Sequence, residues 1–294
     1  MAARLDVPGR AVVVGADGSG RSRRAVEWAA GEAERRGAPL LLVCAVAWQV
    51  MAEGGVAPPS EDDLLGPARR VVEEELGRVR ATHPGVTVTG AAVSGRPAVV
   101  LVEASERAGL VVVGAAGHRP VAGPLLGSVS QKVVAHAHGP VAVVREEAPA
   151  QMTGPVVVGA DPSDPPLETL RFAFDEARRR GVGVVVVCAT ERARTTHSYS
   201  PVVSEFFAAQ AEEDLESLTR TVDEMALERG VDAEVRRLAG HPADALIEVA
   251  GNRSLVVVGS RGHFGLTGLL LGSVSREVLQ RAPAVVVVRE RPRE

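Results

Sequence analysis

The chain has 294 residues and a net charge of −4, with 46% hydrophobic and 24% charged residues. Such values belong to a globular protein long enough for two domains, each with its own core, and exclude a disordered chain. Arginine supplies every basic residue except Lys132, with no basic block or aromatic-rich basic patch, so nucleic acid is not an expected partner.

No apolar run approaches the roughly 18 residues that read as a membrane span, and no signal-peptide pattern opens the chain. A cytoplasmic protein without a membrane partner is therefore expected. Cys44 and Cys188 lie at matching places in two apolar runs and read as buried structural thiols.

Residues 1–10 form a loose leader. Ala11-Val-Val-Val-Gly15-Ala16-Asp17-Gly18-Ser19 then predicts a short, fully buried strand ending in a turn. A helix from Ser22 to Arg36 follows, with Val26, Ala29, Ala30 and Ala33 on one face and Gly37 as its stop. A second buried strand spans 39–46, and the Gly/Pro-rich stretch 48–59 reads as a loop. Ser60-Glu-Asp-Asp63 resembles a capping box opening a helix to Ala81. The remaining elements are a strand over Val86–Val93, a helix from Pro97 to Arg107, a strand over Leu110–Val113, a helix from Ser128 to His136, and a strand over Pro140–Val144.

After a Pro/Ala/Thr linker the pattern restarts. Val156-Val-Val-Gly159-Ala160-Asp161-Pro162-Ser163 repeats the first strand and turn, and Gly181 repeats Gly37. Strands are expected at 184–189, 231–238, 255–258 and 285–288. Helices are expected around Leu167–Ala177, on a long segment bearing Leu215, Leu218, Val222 and Met225, and over Pro242–Ala250. Strands separated by helices predict parallel pairing with right-handed crossovers, hence an α/β fold with two tandem doubly wound, Rossmann-like domains over residues 1–147 and 154–294. In such sheets a ligand sits beyond the carboxyl ends of the strands, where their order reverses.

One device occurs twice. Val111-Val-Val-Gly114-Ala115-Ala116-Gly117 is followed, nine residues on, by Gly127-Ser128-Val129-Ser130; Val256-Val-Val-Gly259-Ser260-Arg261-Gly262 is followed at the same distance by Gly272-Ser273-Val274-Ser275. A buried strand running into a glycine-rich stretch and then a Ser-led helix suits phosphate, held on backbone N–H groups at a positive helix end. The glycines let backbone approach an anion without a Cβ in the way. The hydroxyls of Ser128 and Ser273 are positioned to add a hydrogen bond or cap the helix. Asp17 and Asp161 fit a ligand role, with plain turn or cap chemistry as the alternative.

With Val-x-Gly-x-Asp-x-Ser early in each half, this pattern resembles the universal stress protein family, and the double copy resembles its tandem-domain, ATP-binding members. The likeness covers residues 10–146 and 155–290. It implies a five-stranded parallel sheet in the order 3-2-1-4-5 in each half, with ATP in the crevice between the first and fourth strands. In the first half it implies contacts from Gly15, Asp17, Ala45, Gly114, Ala115, Ala116, Gly117, His118, Arg119, Pro120, Gly127, Ser128 and Val129. In the second half the matching positions are Gly159, Asp161, Ala189, Gly259, Ser260, Arg261, Gly262, His263, Phe264, Gly265, Gly272, Ser273 and Val274. The aspartates and the backbone at Ala45 and Ala189 fall near adenine and ribose by this analogy, and the need for Mg²⁺ stays open. Arg261 has no counterpart at Ala116, so the second site is expected to bind ATP at least as tightly as the first. The family also implies an intrachain pseudo-dimer through the last strand of each half. Whether whole chains form a homodimer, and which signalling partner they meet, the residues leave open.

Three functions compete: an ATP-binding stress-response regulator, a slow ATP hydrolase, and a nucleotide-free dimerising scaffold. Gly-x4-Gly-Lys-[Ser/Thr] is absent, and neither Gly-Ser-Val-Ser is a Gly-x-Ser-x-Gly nucleophile elbow. The residues favour holding a nucleotide over consuming it, with no catalytic residue and no metal site assigned.

Overall fold

The computed structural model describes residues 5–47, 60–116, 126–190, 201–260 and 271–289, with helix 201–205 described by its backbone alone. The expected loop at 48–59 lies outside them. Two compact units divide the chain, residues 1–151 and 152–294.

The first unit runs β1 (Val12–Gly15), α1 (Gly20–Arg36), β2 (Leu40–Val46), α2 (Glu61–Thr82), β3 (Val88–Ser94), α3 (Pro97–Ala104), β4 (Leu110–Gly114), α4 (Ser128–His136) and β5 (Val141–Val144). The second repeats this as β6 (Val156–Gly159), α5 (Leu167–Arg180), β7 (Val184–Thr190), α6 (Pro201–Arg229), β8 (Ala233–Ala239), α7 (Pro242–Ala250), β9 (Val256–Gly259), α8 (Ser273–Arg281) and β10 (Ala284–Val288). The sheet order is β3-β2-β1-β4-β5 in the first unit and β8-β7-β6-β9-β10 in the second, with parallel pairing. Helices α1 and α2 touch each other, as do α3 and α4, and the second unit repeats this with α5 and α6, then α7 and α8. Each pair lies on one face of its sheet, the arrangement that right-handed crossovers produce on either side of an order reversal.

Local chemistry fixes the helix ends. Ser19 caps α1 by accepting the Ser22 N–H on its hydroxyl (3.1 Å), and Gly37 closes the helix in the left-handed conformation at φ 57°. Gly181 does the same for α5 at φ 65°. Ser60 accepts the Asp63 N–H at 3.1 Å, as the capping pattern predicts. Helix α3 ends at Ala104, short of Arg107, because the chain tightens into a turn in which the Arg107 N–H donates to the Ala104 carbonyl. The third strand starts at Val88, not Val86, since the Val86 N–H is spent on the His83 carbonyl in a preceding turn. Val231 likewise falls before β8, where its N–H closes the end of α6 on the Ala226 carbonyl.

The core is mostly valine, leucine and alanine from the strands and one face of each helix. Val26, Ala29, Ala30 and Ala33 are buried as expected, together with Trp28 and Glu32. The Glu32 carboxylate receives Arg35 (3.0 Å) and Arg36 (2.9 Å). Its twin Glu176 on α5 receives Arg179 at 2.7 Å and Arg180 at 3.4 Å. A buried charge is tolerable only with such partners. Both cysteines are free and buried, and among the described residues no helix is long and apolar enough to cross a membrane.

Phe174 is fully buried on α5, whereas Phe206 on α6 is 66% exposed. Phe174→Ala is therefore expected to lower stability by about 3–5 kcal/mol in urea denaturation, and Phe206→Ala to change it by less than about 0.5 kcal/mol. Equal losses would contradict these placements.

Candidate functional site

The order reversal falls between β1 and β4 in the first unit and between β6 and β9 in the second. Val14 of β1 lies beside Val112 of β4, so Gly15 and Gly114 end neighbouring strands at the same edge. Gly15 pairs with Val43 of β2, and β2 runs on through Cys44, Ala45 and Val46 against β3, forming a wall beyond the end of β1. Ala45, half-buried, stands on that wall opposite Val93, and Ala189 stands opposite Leu238 in the second unit.

Two of the expected ligand glycines have a packing reason to lack a side chain. A Cβ on Gly15 would come within 2.9 Å of Leu101 on α3, and one on Gly159 within 3.1 Å of Leu246 on α7. Gly114 lies against backbone: a Cβ there would make contact at 3.4 Å with the Arg21 carbonyl in the first turn of α1. The start of α1 is thereby brought beside the end of β4.

Asp17 and Asp161 are both exposed and both organise turns. The Asp17 carboxylate accepts the Ser19 N–H at 2.9 Å. The Asp161 carboxylate accepts the Ser163 N–H at 3.0 Å and its hydroxyl at 2.7 Å. The turns nonetheless differ. Gly18 adopts φ 80°, a conformation closed to Pro162, whose ring fixes φ near −65°. Helix α5 has 14 residues against 17 in α1, because Asp164-Pro165-Pro166 replace its first three. Pro166 takes the cap position and supplies no side-chain hydrogen bond.

At the glycine device the chain is tied end to end. The Gly127 N–H donates to the Ala115 carbonyl (2.7 Å), and the Gly272 N–H to the Ser260 carbonyl (2.9 Å). The Ala115 and Ser260 N–H groups continue the ladder onto Val144 and Val288. Gly127 and Gly272 are the cap residues of α4 and α8, and neither helix has a side-chain cap. This corrects one expectation: Ser128 and Ser273 are the first helical residues, exposed, and their hydroxyls do not cap the helices. The first-turn N–H groups, those of Ser128, Val129 and Ser130 and of Ser273, Val274 and Ser275, have no carbonyl of their own helix to bond.

The hydroxyls that do act here belong to residues the sequence reading passed over. Ser130 Oγ, buried, donates to carbonyl oxygens within 3.0 Å at Ala115 and 2.9 Å at Gly127. Ser275 Oγ donates to the Gly259 carbonyl at 2.6 Å. The repeated Gly-Ser-Val-Ser carried this signal in its second serine. Gly117, His118, Arg119 and Pro120, with Arg261, Gly262, His263, Phe264 and Gly265, lie outside the described residues.

The universal stress protein family matches the chain twice, over residues 9–145 and 152–289. The chain belongs to the universal stress protein family. Its relatives include Universal stress protein Rv1996 of Mycobacterium tuberculosis, 36% identical over 96% of each chain. Another from the same organism, Universal stress protein Rv2005c, is 35% identical over 94% of this chain and 96% of its own. The crystal structure of a universal stress protein from Archaeoglobus fulgidus shares the fold with a TM-score of 0.67, at 21% identity over 95% of this chain and 96% of that one. The family membership and the tandem α/β architecture expected from the repeated device are thus shown.

The thiols report the electrostatics of the crevice walls. Burial, then the nearby Asp17 carboxylate, pushes the Cys44 thiol up. Burial, reinforced by Asp161 and opposed by Arg237, pushes Cys188 from its ordinary 9.0 up to about 12. A thiol that ionises near 9.0 when unfolded and near 12 when folded contributes stability that is intact below 9.0 and lost as pH rises through that window. Cys188→Ala should therefore flatten the alkaline fall in stability between pH 9.0 and about 12, measured by urea titration at each pH. An unchanged profile would contradict the assignment.

Proposed function

We propose that each unit of this universal stress protein holds one adenine nucleotide, ATP, and that the chain is a cytoplasmic stress-response regulator that binds the nucleotide without efficient turnover. One observation carries the reading. In both units the residue that follows the fourth strand, β4 or β9, is tied to the start of a helix whose first-turn N–H groups have no side-chain cap, beside an aspartate turn at the order reversal. Such a helix start favours an anionic oxygen by about 0.3–1 kcal/mol, and up to about 2 kcal/mol where partly buried. The phosphates would lie on the starts of α4 and α8, and the base and ribose toward Asp17 and Ala45, or Asp161 and Ala189.

Rapid phosphoryl transfer calls for charge clamps and a positioned base or water. The chain's one lysine, Lys132, lies in the second turn of α4, and a P-loop sequence is absent. Arg261 stands inside the second Gly-x-x-Gly, where the first has Ala116 and carries its arginine at position 119, and on this placement the second site should bind ATP at least as tightly as the first.

The test is to denature the purified protein and identify the released nucleotide by chromatography, then to titrate the emptied protein with ATP by calorimetry. One equivalent of ATP per unit is expected. A protein that is empty and fails to bind added ATP is a scaffold instead. Rapid phosphate release abolished by Asp17→Ala with Asp161→Ala makes it a hydrolase. The ranking of the sites is read from Gly117→Glu and Gly262→Glu, where the first should retain the tighter remaining site; equal residual affinities would sink the ranking.

A further inference from the structure

The cap residue of α4 is Gly127 and that of α8 is Gly272. A glycine cap has no side chain with which to hold the incoming chain, and its backbone is the least restrained of any residue. Something else must therefore fix the direction in which the first-turn N–H groups point. In both units the only buried polar side chain of this helix is the serine at its third position, Ser130 at 2% exposure and Ser275 at 5%.

Burying a hydroxyl is costly unless it is bonded, and each of these is spent on backbone at the strand end. Ser130 Oγ reaches back to the Ala115 carbonyl at 3.0 Å and to the Gly127 carbonyl at 2.9 Å. Ser275 Oγ reaches the Gly259 carbonyl at 2.6 Å. In the first unit the hydroxyl thus joins the residue that follows β4 to the cap glycine itself. The Gln131 side chain adds a second tether, its amide donating to the Leu126 carbonyl at 2.8 Å. A hydroxyl buried in this way faces the protein and is committed to it, unlike those of Ser128 and Ser273, which are exposed.

We infer that Ser130 and Ser275 are positioning residues for phosphate: they clamp the helix start to the strand end, and so aim the first-turn N–H groups, without touching the ligand. The inference rests on the nucleotide reading above and adds to it a division of labour within one short motif. The first serine faces the ligand and the second holds the frame.

The test compares ATP with adenosine, which lacks the phosphates, in calorimetric titrations of the full chain carrying Ser130→Ala together with Ser275→Ala. ATP should bind roughly three- to ten-fold more weakly, the size of one neutral hydrogen bond, with adenosine affinity unchanged. Ser130→Cys with Ser275→Cys, nearly isosteric but with a weak donor, should move the ATP-to-adenosine ratio in the same direction and covers the case in which the alanine chain does not fold. Unchanged ATP binding by a folded variant overturns the inference. So does an equal loss for ATP and adenosine, which a merely structural role would give. A wild-type chain that binds neither compound removes the nucleotide reading itself, and this inference with it.

Discussion

Parallel pairing of β1 with β4, and of β6 with β9, is the constraint from which the rest of each unit follows. Because β2 and β3 lie on one side of β1, the chain must return past β1 to lay down β4, and α3 makes that return on the opposite face from α1 and α2. The connections leaving β1 and β4 therefore diverge, and the carboxyl ends of these two strands are left as the place where backbone is not crossed by a helix. The same return brings a methyl of Leu101 so close to β1 that a side chain at Gly15 would have to displace it, and Leu246 crowds Gly159 more mildly. One requirement of topology thus appears in the sequence as a glycine, whatever further role that glycine has.

Much of this was legible before the fold. Runs of valine ending in glycine marked the strands, because strands covered on both faces have no polar positions to interrupt them. The stops at Gly37 and Gly181 were readable because a left-handed cap tolerates few other residues. Exact repetition of the glycine spacing identified the device that family membership then explained. Other features were hidden for physical reasons. Helical periodicity names a face, but it does not reveal that Glu32 on that face can be buried when Arg35 and Arg36 come down upon it. The bond from Ser130 to a carbonyl 15 residues earlier depends on how α4 docks against β4, which no local pattern encodes. For the same reason the sequence left open whether the Ser128 hydroxyl caps the helix, and the preceding glycine takes that place.

The division between exposed and buried serines also separates two physical demands on one turn of helix. An exposed hydroxyl stays available to water, whereas one that sets geometry gains from being shielded, since a shielded hydrogen bond is not contested by solvent. Placing the two hydroxyls two residues apart on α4 and on α8 puts them on different sides of the helix and lets each meet its own demand.

The two prolines at 165 and 166 give the second unit a different history from the first. Their rings remove two backbone donors and restrict the residue before them, so the stretch that in the first unit is a capped helical turn is here a stiff, pre-set arm. Neither the valine core nor the glycine spacing had to change for this to happen. A duplicated domain can in this way drift in how a helix start is held, by a capping hydroxyl in one copy and by proline rings in the other, with both keeping the same architecture.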